Sequence, residues 1–115
     1  MLRIRPEQYE VLAAAQRTRF IDECAAFVRE YWAEEYAAQG LDAVKQTAEQ
    51  AIERAQEHGI EQEAGVLRFL NVMYALGIDF DRGADFPWAV TILENRDLPE
   101  DEKLARLEAE VERHL

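Results

Sequence analysis

Three aspartates between residues 78 and 86 are the first candidates for chemistry, because carboxylates at a fixed spacing can ligate a cation. Asp79, Asp81 and Asp85 stand at relative positions one, three and seven, as in a calcium-binding loop. Such a loop also needs a glycine at position six and a bidentate glutamate at position twelve, and these positions hold Ala84 and Val90. The pattern favours aspartates that cap helix ends and bind turn backbone, with a cation site as the alternative.

The two histidines give a second test for metal chemistry. A dinuclear metal centre in a helical bundle needs Glu and His three residues apart on one helix, so that both side chains face the metal pair. The residues three positions before His58 and His114 are Ala55 and Val111. The sequence therefore predicts no metal and no cofactor, and we expect His58 to lie at a helix end.

Nucleophilic catalysis has few candidate residues, because the chain has no serine and a single cysteine. Cys24 lies among apolar helix positions beside Asp22 and Glu23, whose negative charges disfavour a thiolate. We expect Cys24 to be buried, as free cysteines usually are, in a protein of a reducing compartment. The sequence predicts no catalytic residue and a protein that is not an enzyme; a small enzyme of unknown type stays as an alternative.

A run of aromatic and acidic residues points to binding instead. Tyr31, Trp32, Glu34, Glu35 and Tyr36 fall within six residues of one predicted helix. They cannot all face the same side of a helix, so at least one aromatic ring should be exposed. Tyr and Trp are enriched in protein interfaces, although the end of a small core has the same composition. We predict partner binding through Tyr31, Trp32, Glu35 and Tyr36.

The net charge limits the class of partner. The 115 residues include 24 acidic and 13 basic side chains, which gives a formal charge of −11 at pH 7. This charge argues against nucleic-acid and membrane binding and favours another protein as the partner. An acidic decoy that mimics nucleic acid is an alternative, but Lys and Arg are interspersed with Glu along the whole chain.

Glycine and proline positions divide the chain into helices. The pattern predicts one long or two nearly collinear helices over 6–38, then helices over 42–58, 62–76, 87–95 and from 99 to the end. We therefore predict an all-α fold, a compact bundle of four to five helices in one domain of residues 1–115. The third helix has hardly any polar face and should be the most buried. Phe80 and Phe86 should pin the loop of residues 78–86.

Several short motifs complete the sequence evidence. In chain order they are Ile4-Arg5 with Gln8, Phe20, His58-Gly59-Ile60, the stretch 69–73, the stretch 76–81, Pro87-Trp88-Ala89 and Ile92-Leu93. This layout resembles small all-helical bacterial proteins encoded near type VI secretion, Rhs and PAAR effectors. The resemblance implies an accessory role in the bacterial cytoplasm, as an adaptor or chaperone for a secreted effector, or as an immunity protein. It supplies no catalytic residues.

Overall fold

A computed structural model describes the backbone of residues 6–114 and the side chains of residues 14–114. Six α-helices occur in this part of the chain: α1 (Pro6–Tyr31), α2 (Ala33–Gln39), α3 (Leu41–Glu57), α4 (Glu63–Leu76), α5 (Pro87–Glu94) and α6 (Glu100–His114). No strand forms among the residues so described. The predicted all-α class is confirmed. The Ile4-Arg5 motif lies outside the described residues, and so does the side chain of Gln8.

The prediction of four to five helices is wrong by at least one, because the long N-terminal helix is interrupted at Trp32. The backbone of Trp32 has φ −133° and ψ 53°, outside the helical region. The N–H of Trp32 still donates to the carbonyl of Val28 at 2.8 Å, and the N–H of Tyr36 donates to the carbonyl of Trp32 at 2.8 Å. Gly40, with φ 84°, ends α2. Neither glycine nor proline marks the interruption, so the prediction for residues 6–38 left one or two helices open and could not place the break.

The chain divides into two compact units, residues 1–46 and residues 47–115. In the first unit, buried apolar side chains recur at helical spacing on α1, and Val44 of α3 is buried as well. The buried residues of α1 are Phe20, Ile21, Cys24, Ala25 and Val28. An ion pair of 3.1 Å between Asp22 and Lys45 joins α1 to the start of α3. The single domain stays a prediction.

In the second unit, α4 supplies the largest set of buried side chains for its length. Its buried residues are Gly65, Val66, Phe69, Leu70, Val72 and Met73, and α6 packs against both α4 and α5. The prediction that this helix is heavily buried is confirmed. Burying a side chain of the size of Phe69 or Leu70 contributes about 1.5–3 kcal/mol to folding.

Candidate functional site

We call residues 30–39 the aromatic–acidic segment; it contains all four predicted partner-binding residues. The side chain of Tyr31 is 64% exposed, and its ring lies 4.9 Å from that of Phe27 between centroids. Trp32 and Tyr36 are half-buried, and Glu35 is exposed. No residue of α2 is buried. The expectation that at least one ring reaches the surface is met by Tyr31.

Three carboxylates accompany these rings. Glu30, in the last turn of α1, and Glu34 and Glu35, in the first turn of α2, are all exposed. Among the side chains that the structure describes, none of the three takes part in an ion pair. The next cation along the chain after this segment is Lys45, which pairs with Asp22. The segment therefore presents three exposed carboxylates without an ion pair near an exposed tyrosine, and the exposed Arg29 immediately precedes them in the chain.

The acidic loop has a different role from the one predicted. Arg54 of α3 donates to Asp79 at 2.8 Å and to Asp81 at 3.5 Å, and a third bond from its guanidinium reaches the carbonyl of Ile78. The Nε2 atom of His58 lies 3.0 Å from the other carboxylate oxygen of Asp81, whose side chain has no exposed surface. These two aspartates bind side chains of α3, so the prediction that they cap helices and bind turn backbone is wrong for their carboxylates.

Packing explains this correction. Phe80 is 2% exposed, and its ring centroid lies 5.2 Å from that of Phe69 on α4. Burying Phe80 draws the carboxylate of Asp81 out of water, and a buried carboxylate must then find charged or hydrogen-bonding partners. Arg54 and His58 supply them. The prediction that Phe80 pins the loop is confirmed.

The remaining loop predictions have mixed outcomes. Asp85 is exposed, and the N-cap position of α5 belongs to Phe86, which forms no side-chain cap. The prediction that Asp85 caps this helix is therefore wrong, whereas Pro87 does stand in its first turn as expected. Phe86 is only half-buried and lies 5.9 Å from Trp88 between ring centroids. No group of three or more potential metal ligands clusters among the described residues.

A cleft of about 890 Å³ opens in the second unit between the end of α3 and the connection from α5 to α6. Its lining includes five charged side chains: Glu57, Glu94, Arg96, Glu100 and Lys103. The volume is within the range of small-molecule sites. What the cleft can do depends on whether these charges are available to a ligand.

Two of these charges are committed to helix ends. The buried ammonium of Lys103 donates to the carbonyl of His58 at 2.8 Å, just beyond the end of α3. Glu100 accepts hydrogen bonds from the backbone N–H groups of Glu61 and Gln62, just before α4. A cation thus stands at a helix C-terminus and a carboxylate at a helix N-terminus, the favourable arrangement for both helix dipoles. Burial lowers the pKa of Lys103 from its ordinary value.

The roles of Lys103 and Glu100 were not predicted from the sequence, although the sequence contains a signal for them. On α6 the buried positions Leu104, Leu107 and Val111 form an apolar stripe. Lys103 and Glu100 lie four residues before Leu107 and Leu104, so both charges fall on the buried side of the helix. A charge on an apolar stripe indicates a specific buried partner. Here the partners are the two ends of the α3–α4 connection.

The motifs that carry the family resemblance coincide with these internal contacts. His58, Asp79 and Asp81 form the network below the loop, and Phe69 and Phe80 form its apolar floor. Cys24, expected in the core, is fully buried. The motifs thus account for how the second unit is built.

Comparison with known proteins adds no further constraint. The chain matches no protein-family model, no curated protein and no solved structure. Among the helices that the structure describes, none is long and apolar enough to cross a membrane.

Proposed function

We propose that this chain is a non-catalytic, protein-binding accessory factor that acts on a bacterial secreted effector in the cytoplasm, as an adaptor, chaperone or immunity protein. The observation that carries the proposal is the aromatic–acidic segment, where Tyr31 is 64% exposed. The resemblance to accessory proteins encoded near type VI secretion effectors supports an effector as the partner. The buried thiol of Cys24 fits a reducing compartment.

The absence of any buried residue in α2 supports binding by this segment. A helix of seven residues is too short to be stable by itself, and no side chain of α2 is buried to compensate. A partner that covers α2 would bury the rings of Trp32 and Tyr36 further and stabilise the helix. Tyr and Trp lose little conformational entropy for the large area that they bury, which makes them effective interface anchors.

The contacts around the cleft support a structural role for that region. Lys103 and Glu100 hold the ends of α3 and α4, and Glu57 pairs with Arg82 at 2.9 Å. Side chains that are needed to hold the backbone are poorly placed to move protons or bind substrate. Surface complementarity, without chemistry, is therefore the mode of action that we propose.

The test is the affinity for the secreted effector encoded beside this chain, measured by isothermal titration calorimetry. We expect Trp32→Ala and Tyr36→Ala each to weaken binding by 2 kcal/mol or more, which raises Kd at least about 30-fold. A loss of this size is typical of an interface anchor. Ile78→Ala is the matched control, because Ile78 is a 40% exposed apolar side chain outside the segment. If the effector does not bind, or if Ile78→Ala weakens binding as much as the aromatic variants do, the proposal is wrong.

The charge of −11 favours one competing function, an acidic decoy that occupies the nucleic-acid groove of a basic protein. The two functions differ in their response to salt. A decoy would lose its affinity steeply above physiological ionic strength, because the Debye length then falls below about 8 Å. Binding through aromatic anchors should keep most of its affinity and lose only association rate. The decoy function would be supported if high salt abolishes binding while Trp32→Ala and Tyr36→Ala leave the affinity unchanged.

A further inference from the structure

The ammonium of Lys103 is a buried cation without a counter-charge. The residue is 6% exposed, and its Nζ donates one hydrogen bond, to the carbonyl of His58 at 2.8 Å. An ammonium has three N–H groups, and no carboxylate among the described residues lies within ion-pair distance of this one. Lysine is almost never so buried unless it is paired, because the water that it loses must be replaced. What Lys103 lacks is therefore a negatively charged acceptor.

Lys103 lines the cleft of about 890 Å³ together with a second cation. Arg96, in the connection from α5 to α6, is exposed, and its side chain makes no ion pair or hydrogen bond with any described residue. Both side chains can donate to a carboxylate. Hydrogen bonds between such charged groups are about twice as strong as hydrogen bonds between neutral groups.

Three carboxylates also line the cleft, and two of them are already compensated. Glu57 pairs with Arg82 at 2.9 Å, and Glu100 accepts from two backbone N–H groups just before α4. Glu94 is exposed and makes no ion pair with a described residue. The uncompensated charges of the lining are therefore two cations and one hydrated carboxylate. A singly charged anion balances this excess of one positive charge, whereas a doubly charged phosphate exceeds it.

Part of the cleft wall is apolar. Leu93, Leu98 and Pro99 belong to the lining, and of these Leu98 is half-buried and Pro99 is exposed. A ligand with an apolar part would remove this surface from water, which favours binding. An organic anion therefore fits the wall better than an inorganic one.

We propose that the cleft binds a small organic carboxylate, whose oxygens accept from Lys103 and Arg96 and whose apolar part lies against Leu98 and Pro99. The ligand supplies the acceptor that the buried ammonium lacks. Lys103 keeps its bond to the carbonyl of His58, because that bond uses one N–H group of three. The carboxylate is held and not converted, so this site and the proposed protein-binding function are independent of each other.

The test uses two probes of similar shape, sodium hexanoate and the uncharged hexanamide, titrated separately into ¹⁵N-labelled full-length chain at constant ionic strength. We expect saturable shift changes in residues 56–60 and 93–103, and binding of hexanoate about fivefold tighter than that of hexanamide. The net charge of −11 repels anions, so saturation at the cleft requires local recognition. Equal affinities of the two probes, or shift changes spread over all helices, would overturn the proposal. So would inorganic phosphate, as a third probe, binding more tightly than hexanoate.

Single variants identify the cations that hold the carboxylate. Lys103→Met should weaken hexanoate binding about tenfold, the loss expected for a hydrogen bond between charged groups. Arg96→Gln should weaken it about threefold, because Arg96 is exposed to solvent. Arg113→Gln is the matched control: it changes the net charge equally at an exposed residue of α6 that does not line the cleft. If Arg113→Gln weakens binding as much as Arg96→Gln does, only the overall charge matters and the proposal is wrong. Where far-UV circular dichroism shows Lys103→Met unfolded, Arg96→Gln decides.

The protonation of Lys103 gives a second measurement that needs no variant. The chain contains two lysines, Lys45 and Lys103, so the side-chain ¹³Cε signals are easily assigned. Burial lowers the pKa of Lys103, and a carboxylate bound at Nζ should raise it toward its ordinary value of 10.5. The signal of Lys45, which pairs with Asp22, should not respond to hexanoate and serves as the internal reference. If hexanoate leaves the pKa of Lys103 unchanged, the carboxylate does not meet Lys103 and the proposal fails.

Discussion

Arg54→Met is expected to destabilise the folded chain by about 3 kcal/mol, because it removes the main charged partner of a carboxylate that has no exposed surface. The side chain of Arg54 is itself only 14% exposed, and its guanidinium contacts Asp81, Asp79 and the carbonyl of Ile78. Breaking a buried ion pair by removing one partner typically costs about 3–5 kcal/mol. In the variant, Asp81 still faces His58 at 3.0 Å and the guanidinium of Arg82 at 4.0 Å, which places the expected cost at the lower end of that range.

Two further variants make this prediction specific. Asp79→Asn breaks the shorter contact of Arg54, at 2.8 Å, but the side chain of Asp79 is 69% exposed. Solvent screens such a pair, so we expect a cost below about 1 kcal/mol. Combining Arg54→Met with Asp81→Asn removes the buried charge together with its partner. The double variant should be less destabilised than the sum of the single variants by about 1–2 kcal/mol.

Urea unfolding followed by far-UV circular dichroism measures these free energies, and amide hydrogen exchange of residues 76–83 locates the effect. The reasoning is refuted if Arg54→Met costs no more than Asp79→Asn, since burial would then not govern the strength of the pair. Additive costs in the double variant would show that Arg54 and Asp81 do not depend on each other.

Three other variants test the packing and the pH dependence by the same unfolding assay. Phe69→Ala should lower the free energy of unfolding by about 3 kcal/mol, because Phe69 is fully buried. If the variant has the same urea midpoint as the wild type, α4 is not in the core. Gly65→Ala should cost about 1–3 kcal/mol, since its Cβ would lie 2.9 Å from both Glu100 Oε2 and Ile60 Cγ2; an unchanged stability would contradict that contact. Burial lowers the pKa of Lys103 in the folded chain below its ordinary value of 10.5. Between these two pKa values the unfolded chain binds more protons than the folded chain, so the free energy of unfolding rises with pH in that window. The Lys103→Met variant should lack this rise. If the wild type and the variant show the same dependence of unfolding free energy on pH, the prediction is wrong.

Local interactions explain why most helix limits could be predicted from the sequence. Gly59 and Gly77 adopt positive φ angles of 78° and 120° at the ends of α3 and α4, which glycine does at little cost. Pro87 fits the first turn of α5 because its missing N–H would have no helical partner there. The near absence of a polar face identified α4 as buried. Each of these signals depends on residues close together in the chain.

The roles of the charged residues could not be read in the same way, because they depend on contacts between distant positions. Asp81 meets Arg54 and His58 across 27 and 23 residues, and Lys103 meets His58 across 45. Whether an aspartate caps a helix or enters the core depends on what its neighbours bury, and here the burial of Phe80 decided it. For the predicted binding residues, the sequence determined that aromatic and acidic residues are concentrated between positions 31 and 36. The tertiary structure decided which of them solvent can reach, because exposure depends on the packing of the whole chain and not on spacing along one helix.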